Sequence, residues 1–74
     1  MTTDRKLEMV KSIFQFIQKE QSRSISIVDI VEYAYAYYDA GVDDIFQAIK
    51  TLESMGKIKI LVFEAELKSR ISLN

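Results

Sequence analysis

"GVDDIFQAIKTLESMGKIKI", residues 41–60, contains the change of period that decides the fold. Ile45, Ala48, Ile49, Leu52 and Met55 recur at helical spacing and predict one buried stripe on a helix over about 43–55. Gly56 predicts a left-handed stop for that helix. From Lys57 the period falls to two. Ile58, Ile60 and Val62 alternate with Lys57, Lys59 and Leu61, which predicts a strand. At the other end, Gly41 predicts the backbone freedom of a tight turn, with Val42 tucked beneath it and Asp43 as the N-cap.

Upstream, Leu7, Val10, Ile13, Phe14 and Ile17 share one face of a helix over about 4–20, with Thr3 or Asp4 as its cap. Met9 and Phe16 form a second stripe on that helix. It packs either under the C-terminal strands or in a dimer contact. Ser24-Ile25-Ser26 predicts a very short strand, and Ser26 an N-cap for a helix over about 27–38. Ile27, Ile30, Val31, Ala34 and Tyr38 face inward on that helix, whereas Tyr33 points out. Downstream of "FEAE", Leu67, Ser69, Ile71 and Leu73 alternate with Lys68, Arg70 and Ser72. The two alternating runs predict a hairpin over about 57–73.

The totals narrow the possibilities. A chain of 74 residues allows a single domain over 1–74, and a domain this small buries a modest fraction of its surface. It has no Cys and no His, which excludes disulfides, zinc fingers, and thiol or imidazole catalysis. The apolar content of 49% is enough for a core. Ten basic residues against eleven acidic ones exclude a chain that binds nucleic acid by bulk charge. No apolar run approaches membrane-spanning length, and the polar opening "MTTDRKLEMV" is unlike a signal peptide, so a soluble, cytoplasmic protein is expected. No spacing sets a carboxylate pair in an apolar pocket, so no enzyme is expected. "DAGVDD" lacks the alternating ligands and terminal Glu of a calcium loop, and no metal or cofactor is expected.

The order helix, short strand, helix, Gly turn, helix, Gly stop, hairpin resembles the winged helix-turn-helix superfamily. The match is carried by "SIVDIVEYAYAYYDAGVDDIFQAIKTLESMGKIKI", residues 26–60. The resemblance implies a mainly α fold, a three-helix bundle with a small antiparallel β-hairpin as the wing. It also implies that the helix over about 43–55 reads the DNA major groove and that the hairpin touches the backbone.

Two functions follow. For double-stranded DNA, Gln47, Lys50, Thr51 and Ser54 on the outer face of that helix suit base edges or phosphates. Lys57, Lys59, Lys68 and Arg70 share the outward phase of the hairpin and suit phosphates. Asp43 and Asp44 oppose this at the helix start. Charge is uneven: residues 1–20 carry +1, residues 21–56 carry −4 and residues 57–74 carry +2. Such a regulator or accessory factor is expected to act as a homodimer, with Met9 and Phe16 as the candidate dimer contacts. The alternative is a protein-interaction module without a DNA role, using Tyr33, Phe46, Leu61 and Phe63 as exposed apolar contacts.

Overall fold

A computed structural model of the chain describes residues 2–20, 24–61 and 69–74. Three helices and three short strands follow in the order α1 (Thr3–Lys19), β1 (Ile25–Ser26), α2 (Ile27–Tyr38), α3 (Val42–Ser54), β2 (Ile58–Leu61) and β3 (Arg70–Leu73). The fold is mainly helical with a small antiparallel sheet, as the periodicity predicted.

Helix ends must satisfy orphan backbone groups, and each end here does so differently. Thr2 caps α1: its hydroxyl accepts from the Arg5 amide at 3.3 Å. The cap therefore precedes the expected Thr3 or Asp4, and Asp4 lies in the first turn, where a carboxylate offsets the helix dipole. Ser26 caps α2 as expected, accepting from the Val28 amide at 3.2 Å. Helix α2 leaves through Asp39 in the left-handed region (φ 51), with the Asp39 amide donating to the Tyr35 carbonyl. The short polar side chain of Asp tolerates this geometry better than most.

Gly41 does not supply that freedom. It is the N-cap of α3 in extended backbone (φ −75, ψ 162), and no side chain caps the helix. Asp43 is inside the first turn, not at the cap position. Val42 is 47% exposed; Ala40, at 2%, takes the buried place beneath the turn. The exit of α3 has the predicted left-handed glycine stop. Gly56 (φ 74) donates to the Glu53 carbonyl at 2.9 Å, and Lys57 donates to the Leu52 carbonyl at 3.1 Å. These are the two bonds of a Schellman stop. Met55 is the C-cap and is 58% exposed, so the buried stripe ends at Leu52.

The strands pair in the order β1-β3-β2, all antiparallel. Ile25 lies opposite Ile71, and Ile60 pairs with Ile71 from the other side. The Ile27 amide extends the β1–β3 ladder by donating to the Ser69 carbonyl at 3.0 Å. The Asn74 amide extends the β2–β3 ladder by donating to the Lys57 carbonyl at 3.2 Å. Residues 62–68, between β2 and β3, lie outside the described residues.

The core is built from every element: Met9, Ile13 and Ile17 of α1, Ile30 and Ala34 of α2, Ile45, Ala48, Ile49 and Leu52 of α3, and Ile58 and Ile71 of the sheet. Full burial of each Ile or Leu contributes roughly 1.5–3 kcal/mol before entropy is counted. Helix α1 is rotated from the expected face. Leu7 is 56% exposed, Val10 and Phe14 are half-buried, and Met9 is buried to 1%. Met9 thus belongs to the core of one chain and is not free for a dimer contact. Phe16 is half-buried and stacks on Tyr33 of α2, not under the C-terminal strands, with ring centroids 4.4 Å apart.

Candidate nucleic-acid interface

The burial of Ile45, Ala48, Ile49 and Leu52 turns the opposite side of α3 to solvent. Asp43, Gln47, Lys50, Thr51 and Ser54 are all exposed on it. None of them is apolar. The Thr51 hydroxyl donates to the Gln47 carbonyl at 2.8 Å, so its proton is engaged and only its lone pairs are open to a ligand.

Three exposed lysines lie on the later half of α3 and in the segment that follows it. Lys50 is exposed on α3, Lys57 follows the Gly56 stop, and Lys59 is exposed on β2. The Lys57 ammonium lies 5.3 Å from the centroid of the Phe14 ring, which draws it back toward α1. Glu53 is also exposed on the later half of α3 and offsets one charge. The start of α3 remains acidic: Asp43 is exposed and Asp44 half-buried. With neither serving as the cap, their structural justification reduces to the helix dipole.

Arg70 shares the outward phase of the sheet with Lys59, as its pairing opposite Leu61 requires. Its guanidinium is committed elsewhere. Nε donates to the Ser24 hydroxyl and Nη2 to the Ser24 carbonyl, both at 2.7 Å. Arg70 is half-buried on the central strand and fastens the segment leading into β1. Lys68 falls outside the described residues.

The apolar candidates divide as well. Tyr33, expected exposed, is half-buried between Phe16 and Tyr37, and its hydroxyl bonds the Ser12 hydroxyl. Phe46 is half-buried and faces a groove of about 240 Å³ between α3 and the sheet, shared with Ile27, Ile49, Lys50, Glu53, Ile60 and Ser69. Leu61 is 42% exposed, and Phe63 falls outside the described residues. Tyr35 and Tyr37, at 66% and 69% exposed, are more exposed than Tyr33, Phe46 or Leu61. The signal for Tyr35 was its angular distance from Ile27, Ile30 and Ala34 on the helical wheel.

Among the described residues, no group of three or more Asp or Glu is placed to hold a metal ion. Among the described residues, no helix is long and apolar enough to cross a membrane. No protein-family model, curated protein or solved structure matches the chain.

Proposed function

We propose that the chain is a winged helix-turn-helix DNA-binding protein, a small transcriptional regulator or accessory factor. The observation that carries this reading is the exposed, wholly polar face of α3 with Lys50 on it, followed in the chain by the exposed Lys57 and Lys59. Gln47 and Lys50 are long enough to reach base edges, with Ser54 and the Thr51 oxygen as shorter contacts. Lys57 and Lys59 would hold phosphates. Asp43 and Asp44 push the first turn away from the backbone, so contact falls on the later turns. Arg70 is not counted among the contacts, because two bonds to Ser24 hold its half-buried guanidinium against the lead-in of β1.

Two or three phosphate contacts per chain give a salt dependence of log K on log salt with a slope of about −2 to −3. Fluorescence anisotropy of a labelled duplex at two salt concentrations tests this. Wild type should bind and weaken with salt, and the Lys57→Ala, Lys59→Ala double variant should bind with a slope smaller by about 2. No binding at low salt would sink the proposal. A single module makes few contacts, so action as a homodimer is part of it; a sedimentation profile that stays monomeric on DNA counts against that part.

A second reading, a protein-interaction module, is favoured by the exposure of Tyr35 and Tyr37 on α2. Loss of a protein partner in Tyr35→Ala or Tyr37→Ala, with DNA binding absent, would select it.

A further inference from the structure

Strand β2 lies at the edge of the sheet, and the phase of its ladder determines which groups it leaves open. The Asn74 amide bonds the Lys57 carbonyl. Hydrogen-bonded pairs alternate along an antiparallel ladder, so Lys59 with Ser72 and Leu61 with Arg70 are the bonded pairs between β2 and β3. The amides and carbonyls of Ile58 and Ile60 therefore point away from β3. Among the described residues no strand lies beyond β2 to receive them.

An open edge is a template for another strand, and the flanking side chains decide which strand fits. On the outer face the edge carries Lys59 and Leu61, both exposed, with Lys57 just before it. On the inner face, Ile60 forms the wall of the groove with Phe46 and Ile49. Charge opposes a second copy in two of its three twofold registers: one centred on Ile58 sets Lys57 against the partner's Lys59, and one centred on Lys59 sets that lysine against itself. Like charges directly opposite are destabilising. The third, centred on Ile60, sets Lys59 against Leu61 and gives the lysine no acidic partner.

We propose that the free edge of β2 is a docking site for an acidic extended segment of another protein, added as a fourth strand antiparallel or parallel to β2. The segment alternates acidic residues, opposite Lys59 on the outer face, with apolar residues beside Ile60 at the groove. The inference goes beyond DNA binding and does not rest on it. Lys59 serves both, so an acidic partner on β2 would compete with DNA for that lysine.

The test is backbone amide exchange in the full chain, followed residue by residue, with a short capped peptide of alternating Glu and Val. Saturating peptide should slow exchange at Ile58 and Ile60 by about tenfold or more. A matched Lys-Val peptide should not. Lys59→Glu, with folding checked by its amide spectrum, should weaken the Glu-Val peptide by about tenfold. Four outcomes would overturn the proposal: no binding at millimolar peptide, binding that leaves Ile58 and Ile60 exchange unchanged, equal slowing by the Lys-Val peptide, or slowing that follows protein concentration without peptide. No DNA is present, so failure of the DNA reading leaves this result standing, and the reverse holds.

Discussion

Arg70 and Ser24, 46 residues apart, are joined by two hydrogen bonds of 2.7 Å that tie the lead-in of β1 to the central strand. The fork uses Nε and Nη2 together, which the single ammonium of a lysine cannot reproduce. Arg70→Lys should therefore destabilise the fold by about 1–2 kcal/mol, and Arg70→Ala by about 1–3 kcal/mol, read by urea denaturation. The DNA salt slope of the folded Arg70→Lys variant should match wild type. A slope smaller by about 1 with unchanged stability would mean that Arg70 contacts phosphate after all.

The two glycines should respond in opposite directions. Gly56 has φ 74, where a Cβ is strained, so Gly56→Ala should cost about 1–2 kcal/mol. Gly41 is an N-cap in extended backbone with no side-chain cap, and a Cβ there meets nothing within 4 Å. Gly41→Ser should leave stability unchanged or raise it by a few tenths of a kcal/mol, on the order of 0.3, by supplying the missing acceptor. Thermal melting of the two variants checks both, and a strong loss in Gly41→Ser would restore that glycine as the turn hinge.

Tyr33 is placed as a packing residue of the α1–α2 contact, stacked on Phe16 and bonded to Ser12. Tyr33→Phe should cost about 0.5–1.5 kcal/mol by removing that bond. Tyr37→Ala, at a ring 69% exposed, should stay within about 1 kcal/mol of wild type. If Tyr33→Phe is neutral in chemical denaturation, the hydroxyl is not structural.

The rotation of α1 is checked by a pair of truncations. Met9→Ala should cost about 2–5 kcal/mol, as expected for a core residue buried to 1%. Leu7→Ala, at 56% exposed, should stay within about 0.5 kcal/mol. Comparable losses at both positions would put Leu7 back in the core.

Local patterns were readable and distant partners were not. Helix α2 occupies the residues predicted for it, and α1 and α3 are each displaced by one, because their caps and apolar spacing act within a turn. The alternation of Ile58, Lys59 and Ile60 likewise placed β2. Leu7 and Met9 are both apolar, so only the packing of α2 and the sheet decides which one goes inside. Asp39, not Gly41, supplies the unusual backbone geometry of the turn between α2 and α3; both residue types tolerate turn geometry, so composition did not distinguish them. For Arg70, alternation correctly placed the side chain outward. Its engagement with Ser24 depends on the β1–β3 pairing, which no local period encodes. The candidate DNA face was thus visible as a polar stripe, while its number of free cations was visible only in three dimensions.

The sheet order β1-β3-β2 has a consequence for how the chain comes to be folded. The strand in the middle is the last to be synthesised. Until Ile71 has left the ribosome, β1 and β2 have nothing to pair with, and Ile25, Ile58 and Ile60 lack their central neighbour. Helices α1, α2 and α3 can associate before then, and β2 pairs with β3 close by in the chain, but β1 meets β3 only across the whole of α2, α3 and β2, a separation that is slow to close. A nascent chain stalled before residue 70 would be a helical body with two unpaired strands, one of them rich in β-branched residues. Truncation at that point should give aggregation, not a smaller stable domain.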